Sequence, residues 1–202
     1  DQEHLPSPDG FYSTDAFTDY AVRCIKEHPG DDGQPFFLYL AYNAPHWPLH
    51  ALPDDIERYR GRYLDGWDEL RRERYEKLVE SGLINSDWPL SPQDPEAASW
   101  KAVEDKERMA LKMAIYAAQV DRMDQGVGRV VDALKEQDYF ENTLLLFLSD
   151  NGACHEGGPL GGDWRDGEGG KLGTVDSYES YGRSWSNASN TPFRLHKHWV
   201  HE

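Results

Sequence analysis

Asp150, Asn151 and Gly152 place a carboxylate and an amide side by side in the sequence. Hard divalent cations such as calcium prefer oxygen donors of these two kinds, and a glycine permits the tight turn that such a site needs. The same tripeptide is also a common turn sequence, and calcium takes about six to eight oxygens. By itself, the tripeptide therefore indicates a turn more often than a metal site.

Two further side chains with possible anion chemistry lie in other polar segments. His46 belongs to the segment Pro-His-Trp-Pro at residues 45–48, whose two prolines fix φ angles and make the loop stiff. Lys197 stands between two histidines. An imidazole and an ammonium both bind anions, but an isolated histidine often packs on an aromatic neighbour, and an isolated lysine is usually a solvated surface group. Each residue alone leaves both interpretations open.

The elements that must position these residues have strong hydrophobic patterns. Helical spacing predicts an amphipathic helix from Ser13 to about His28, surface helices over residues 54–81, and a long helix from about Pro95 to Gln137. Continuous apolar runs at 35–42 and 144–148 have the length and composition of buried strands. The alternation predicts an α/β sandwich with a central, mainly parallel sheet flanked by helices.

The predicted sheet determines where the chemistry is expected. In open α/β sheets, ligands bind beyond the carboxyl ends of the strands. We expect Leu38–Tyr42 and Leu144–Leu148 to be buried strands of one sheet, with His46 and Asp150 at the same edge.

Four segments, in their order along the chain, resemble the type I sulfatases, the formylglycine-dependent arylsulfatase family within the alkaline phosphatase superfamily. They are the opening at Gly10–Asp19, Pro45–Leu49, Ser149–Gly152, and Asn190–Arg194 with Lys197. The combination is far more specific than any one of its parts, and it covers nearly the whole chain.

The resemblance implies an alkaline-phosphatase-like fold and roles for individual residues. Asp150 and Asn151 correspond to two calcium ligands. His46 corresponds to the histidine that hydrogen-bonds the substrate sulfate, and Lys197 to the lysine that contacts the sulfate and its bridging oxygen. Cleavage of a sulfate ester leaves negative charge on oxygen, which calcium, lysine and a protonated histidine all stabilise. The implied function is that of a sulfuric ester hydrolase that releases inorganic sulfate.

The chain departs from the family pattern at the nucleophile. The family oxidises a cysteine or serine within Cys/Ser-x-Pro-x-Arg to formylglycine, and neither Cys24 nor Cys154 lies in that motif. The early Asp-Asp pair of the calcium site is also missing from the sequence. Residues 1–202 are therefore expected to be the central part of a sulfatase catalytic domain, a partial domain whose nucleophile lies in an upstream segment. The isolated chain is predicted to be inactive.

Two other functions stay open at this point. A phosphodiesterase or phosphonate monoester hydrolase of the same superfamily binds a similar tetrahedral anion, although such enzymes often carry histidine where this chain has Asn151. A catalytically inactive, truncated binding fragment would keep the fold without the chemistry. The substrate is equally open between an aryl sulfate and a sulfated saccharide. Four aromatic residues in or near loops either stack on a substrate ring or pack in the core: Trp47, Trp164, Trp185 and Tyr181.

The composition excludes two broad classes of partner. With 37 acidic against 21 basic residues, the net charge of -16 argues against sequence-independent binding of nucleic acid. No apolar run approaches the roughly 20 residues of a membrane-spanning helix. The first residues contain no signal-peptide pattern, and periplasmic, secreted and cytoplasmic locations all stay open. An anion site in this chain must therefore use local positive charge.

Overall fold

The computed structural model describes residues 10–30, 34–164 and 169–200. Within them lie five α-helices: α1 (Ser13–Glu27), α2 (Pro53–Tyr59), α3 (Gly66–Glu80), α4 (Lys106–Glu136) and α5 (Gly182–Ser189). Short 3₁₀ helices occur at Trp100–Ala102 and Phe140–Asn142. The chain divides into two compact units, residues 1–44 with 120–146 and residues 45–119 with 147–202. Among the described helices, none combines the length and apolar character needed to cross a membrane.

In the first unit, α1 packs against the second half of α4. Ala21 and Ile25, one turn apart on α1, form a buried apolar cluster with Val130, Ala133 and Leu134 of α4. Spacings of three and four residues place these side chains on one face of each helix. The predicted amphipathic helix that begins at Ser13 is therefore confirmed.

Gly126 permits a close approach between α4 and its neighbours in the same unit. A Cβ atom at this position would lie 2.5 Å from Thr18 Oγ1 and 2.7 Å from the Tyr42 hydroxyl oxygen. The Thr18 hydroxyl donates to the Thr14 carbonyl at 2.8 Å and lies 2.8 Å from the Tyr42 hydroxyl. This hydrogen-bonded group therefore fills the space that a side chain at Gly126 would need.

The second unit has a core built on three tryptophans. Trp67 of α3 and Trp185 of α5 meet edge to face with ring centroids 5.2 Å apart, and Trp100 lies 4.7 Å from Trp67. The Trp67 indole nitrogen donates to the Ala98 carbonyl at 2.8 Å. The edge-to-face geometry suits the charge distribution of aromatic rings, so the contacts fix α5 against α3.

The long helix predicted from about Pro95 begins later in the structure, at Lys106. Asp105 Oδ1 accepts a hydrogen bond from the Arg108 main-chain nitrogen at 2.9 Å. This contact satisfies one of the free N–H groups of the first turn and caps the helix. The predicted surface helices over 54–81 are confirmed as α2 and α3.

The prediction of an α/β sandwich with a central parallel sheet is wrong. In the part of the chain that the structure describes, neither 35–42 nor 144–148 is a β-strand. The backbone bridges present are isolated ones, between His50 and Gly173 and between Asp163 and Glu179. The described residues are helix-rich, so His46 and Asp150 do not share a sheet edge.

Apolar composition identified two extended segments but not how their backbones pair. In residues 35–42, Leu38 and Leu40 pack on the cluster between α1 and α4, whereas Phe37 and Tyr39 are 92% and 80% exposed. The side chains of residues 144–148 are all exposed. A strand is stabilised by hydrogen bonds and side-chain pairs across a ladder. Hydrophobicity along one segment does not specify that partner.

Two glycines in α4 allow a matched stability test. Gly128 has open space around its Cβ position, so Gly128→Ala should stabilise the helix by about 0.5–1 kcal/mol. Gly126→Ala must displace the Thr18 hydroxyl, and we expect it to be less stable than Gly128→Ala by about 1–3 kcal/mol. Chemical denaturation of both purified variants measures this difference. Equal stability of the two variants would show that the contact around Thr18 costs nothing to disturb.

Candidate functional site

Helix α5 carries an amide that joins two loops of the candidate site. Asn190 follows α5 as its C-cap residue. Its Oδ1 accepts a hydrogen bond from the Ala153 main-chain nitrogen at 3.1 Å, and its Nδ2 donates to the Leu195 carbonyl at 3.0 Å. The Lys197 main-chain nitrogen also donates to the Ala153 carbonyl, at 3.1 Å. The loop that contains Ala153 is therefore held beside the segment that leads to Lys197.

The loop with His46 is fixed by main-chain contacts on its carboxyl side. The Leu49 nitrogen donates to the Glu179 carbonyl at 2.9 Å, and the Ala51 nitrogen donates to the Gly173 carbonyl at 3.1 Å. Leu49 is fully buried. With the stiff prolines at 45 and 48, these contacts restrict the directions that the His46 side chain can take.

The structure brings His46 and Lys197 into direct contact. Lys197 Nζ lies 3.0 Å from His46 Nε2, although the residues are 151 positions apart. His46 Nδ1 lies 2.7 Å from the Trp47 carbonyl oxygen. Because a carbonyl only accepts, Nδ1 carries the proton of the neutral ring, and Nε2 accepts from the lysine ammonium. The contact thus fixes the tautomer of His46.

Glu156 is the second partner of Lys197. Its Oε1 lies 2.6 Å from Lys197 Nζ, and both side chains are about three-quarters buried. Burial favours the neutral carboxyl, but the hydrogen bond and charge of Lys197 outweigh it and hold the pKa of Glu156 below its ordinary value. Sequence reasoning missed Glu156, because one glutamate in a glycine-rich segment has no spacing that distinguishes it from a surface carboxylate.

Asp150 and Asn151 are exposed. Their donor chemistry fits calcium, since both carry side-chain oxygens. Across the described ranges, however, there is no group of three or more His, Cys, Asp or Glu side chains that could hold a metal ion. Two oxygens leave most of a calcium shell unfilled. The pair therefore fits part of a calcium site and does not make a complete one.

Cys154 does not have the environment of an activated nucleophile. Cys154 is buried, and this burial raises the pKa of its thiol to about 11. A thiol with that pKa is protonated at neutral pH, whereas nucleophilic attack requires the thiolate. Cys24 is a partly buried free cysteine on α1, in the other unit.

The aromatic residues that the sequence analysis left open between stacking on a substrate and packing in the core fall into two groups. They are Trp47, Trp164, Trp185 and Tyr181. Trp185 and Tyr181 are buried core residues, with exposed fractions of 0% and 1%, so they do not stack on a substrate. Trp47, adjacent to His46, stacks on Trp164 with ring centroids 5.6 Å apart and meets Tyr178 edge to face at 5.3 Å. Trp164 is about half exposed. An aromatic group with one open face therefore lies beside the loop of His46.

His196, which precedes Lys197 in the sequence, carries no charge at neutral pH. Its ring is buried and stacks on that of His155 with centroids 3.9 Å apart. Burial, with the neighbouring His155 ring, lowers the pKa of His196 to about 4. Although its Nδ1 lies 3.8 Å from an Asp94 oxygen, that distance does not make an ion pair because the ring is neutral. Lys197 is therefore the cation at the centre of this contact.

Comparison with known proteins shows similarity to sulfatases. A family model described as sulfatase matches residues 1–201. An arylsulfatase of Klebsiella aerogenes is 36% identical over 201 residues, which cover 96% of this chain and 43% of that protein. An uncharacterised sulfatase of Schizosaccharomyces pombe is 36% identical over 205 residues, covering 95% of this chain and 36% of that protein.

More distant similarity extends to the N-sulphoglucosamine sulphohydrolase of Homo sapiens, which is 31% identical over 123 residues, or 60% of this chain and 22% of that protein. The chain spans less than half the length of each of these three relatives. The match of the family model over nearly all residues, together with 36% identity over 96% of the chain, agrees with the order of the motifs. The chain belongs to the sulfatase family.

Proposed function

We propose that this chain forms the sulfate-binding part of a sulfuric ester hydrolase. The contact between Lys197 and His46, at 3.0 Å, is the observation that carries the proposal. It joins two segments from opposite ends of the second unit, and both residues match the family's substrate-contacting positions. Membership of the sulfatase family and 36% identity to an arylsulfatase support sulfate esters as the substrate class.

The arrangement supports a direct role for Lys197 toward a bound anion. An ammonium has three N–H donors, and His46 and Glu156 accept two of them. The third is available for an oxygen of the sulfate or for the bridging oxygen. Negative charge grows on that oxygen as the ester bond breaks, and a fixed ammonium stabilises it without reorganising. His46 orients the ammonium through its unprotonated Nε2.

Asp150 and Asn151 are proposed to supply two of the oxygen ligands of calcium. Their exposed positions at the end of the segment 144–148 leave them accessible to further ligands. Calcium, when bound, would offset the negative charge of a sulfate oxygen. The remaining ligands would have to come from outside the described residues.

The nucleophile is proposed to lie outside these 202 residues. No Cys/Ser-x-Pro-x-Arg motif occurs among them, and the buried, protonated thiol of Cys154 does not substitute for a hydrated formylglycine. The chain also spans less than half the length of the Klebsiella aerogenes arylsulfatase and of the Schizosaccharomyces pombe sulfatase. Lys197 can neutralise sulfate and His46 can orient its ammonium, but neither residue forms the covalent sulfate intermediate.

Substitution of Lys197 tests the proposal in the whole protein that contains this chain. We expect Lys197→Ala to lower kcat for an aryl sulfate by about two to three orders of magnitude, because it removes one fixed donor from the developing oxyanion. Lys77→Ala, at an exposed position of α3, is the matched control and should keep wild-type activity. Unchanged kcat and KM in the Lys197→Ala enzyme would remove Lys197 from the site.

The same assay separates the possible substrates and tests the isolated chain. Phosphodiester and phosphonate ester substrates, run beside the aryl sulfate, distinguish a sulfatase from the related hydrolases. The purified 202-residue chain is expected to release no sulfate, because it lacks the nucleophile motif. Turnover by that chain would mean that a nucleophile within it has been missed.

Calcium binding by the isolated chain should be weak. Two oxygen ligands from Asp150 and Asn151 leave about four or more positions of the shell to water. Isothermal titration calorimetry with calcium chloride is expected to give a dissociation constant well above the micromolar range. A submicromolar constant would contradict the incomplete ligand set, and loss of that binding in Asp150→Ala would locate the ion.

A further inference from the structure

We infer that Glu156 is a positioning residue, which holds the Lys197 ammonium against His46 and offsets its charge until the substrate sulfate is bound. The inference rests on the proposed function, because it concerns the same site. It assigns to Glu156 a role that neither the family motifs nor the sequence pattern indicated.

The geometry of the three side chains supports this role for Glu156. Lys197 Nζ lies 2.6 Å from Glu156 Oε1 and 3.0 Å from His46 Nε2, so the ammonium bridges a carboxylate and an imidazole. A lysine side chain has a flexible four-carbon stem, and one acceptor alone leaves it several rotamers. Two acceptors on different loops restrict the ammonium to one place, which is the condition for preorganised stabilisation of charge.

The backbone around Glu156 is held in place by close packing. Its main-chain carbonyl accepts a hydrogen bond from the Ser180 hydroxyl at 2.8 Å, and Ser180 is fully buried. The next residue, Gly157, has φ of 88°, and a Cβ there would lie 2.5 Å from the Gly162 nitrogen. Close packing on both sides fixes the backbone from which the carboxylate reaches Lys197. Glu156 is therefore the fixed partner of this pair, and the lysine is the flexible one.

The negative charge of Glu156 also affects the binding of sulfate. Glu156 is ionised, because Lys197 holds its pKa below the ordinary value. A carboxylate this close to an anion-binding ammonium repels sulfate in the ground state, since two negative charges share one cation. Removal of the carboxylate charge should therefore tighten the binding of sulfate while weakening the hold on the lysine, because a neutral acceptor makes a weaker hydrogen bond to the ammonium. A residue with a merely structural role would not produce these two opposite effects.

Glu156→Gln in the whole enzyme tests this inference. We expect the inhibition constant for inorganic sulfate to fall by about 3- to 10-fold, from the lost repulsion across a few ångströms of partly screened space. We expect kcat for an aryl sulfate to fall by about 10- to 100-fold, because an ammonium held by weaker, neutral hydrogen bonds is less well placed for the leaving oxygen. Glu156→Asp keeps the charge, so its sulfate inhibition constant should stay within about 2-fold of wild type while its shorter reach lowers kcat.

Glu76→Gln is the matched control. Glu76 accepts from Arg72 at the same distance of 2.6 Å, but this pair is on the exposed surface of α3, and its loss should leave both constants unchanged. The positioning role is overturned if Glu156→Gln leaves kcat and the sulfate inhibition constant unchanged. It is also overturned if the inhibition constant rises as kcat falls, or if Glu156→Asp tightens sulfate as much as Glu156→Gln does.

The outcomes separate this inference from the proposed function. A whole enzyme without sulfate ester hydrolysis would overturn the proposed function itself. An active wild type that loses kcat in Lys197→Ala, but is unaffected by Glu156→Gln, would overturn only the positioning role. Thermal unfolding shows whether Glu156→Gln is folded, and if it is not, wild-type kcat in the Glu156→Asp enzyme overturns the inference.

Discussion

The buried ring of Trp185 is the contact on which the candidate site depends. It lies 5.2 Å from Trp67 and 5.8 Å from Trp100, and its indole nitrogen donates to a main-chain carbonyl of α4 at 2.8 Å. Rotation of α5 would break this hydrogen bond and open the core. Asn187 lies in α5, and Asn190 directly follows this helix. Their side-chain amides donate to main-chain carbonyls of the segment before Lys197, at 2.6 and 3.0 Å. Apolar packing thereby determines where the polar site lies.

A second constraint is the acidity of the chain. A net charge of -16 repels anions at long range, but salt screens such repulsion over about 8 Å at physiological ionic strength. The few charges within that distance therefore decide whether sulfate binds. Lys197 is one such charge, and His196 adds none at neutral pH because its pKa is about 4. In basic proteins a broad positive surface attracts anions, whereas here the attraction depends on the ammonium of Lys197. The position of this ammonium is therefore important.

Local sequence patterns predicted the helices and the chemistry of single residues, but contacts between distant segments were beyond them. Helical spacing located α1, whereas the start of α4 depends on a cap by Asp105 that resembles any other surface acid in the sequence. The prediction of strands was wrong because the apolar run at 35–42 specifies an apolar face but not the backbone segment with which it would pair. The resemblance named His46 and Lys197. Glu156 was not predicted, because its proposed role depends on its contact with Lys197, which is distant in the sequence.

The charges of the three contacting side chains nearly cancel. Lys197 is positive, Glu156 is negative, and His46 is neutral with its proton on Nδ1, so their sum is close to zero. A sulfate ester carries one negative charge, whereas a phosphate monoester carries about two at neutral pH. Repulsion from Glu156 and attraction to Lys197 are therefore both about twice as large for the phosphate monoester, so these charges alone do not select between the two esters. Phosphodiesters and phosphonate monoesters are also singly charged, so discrimination against them has to come from the nucleophile and the leaving group rather than from charge.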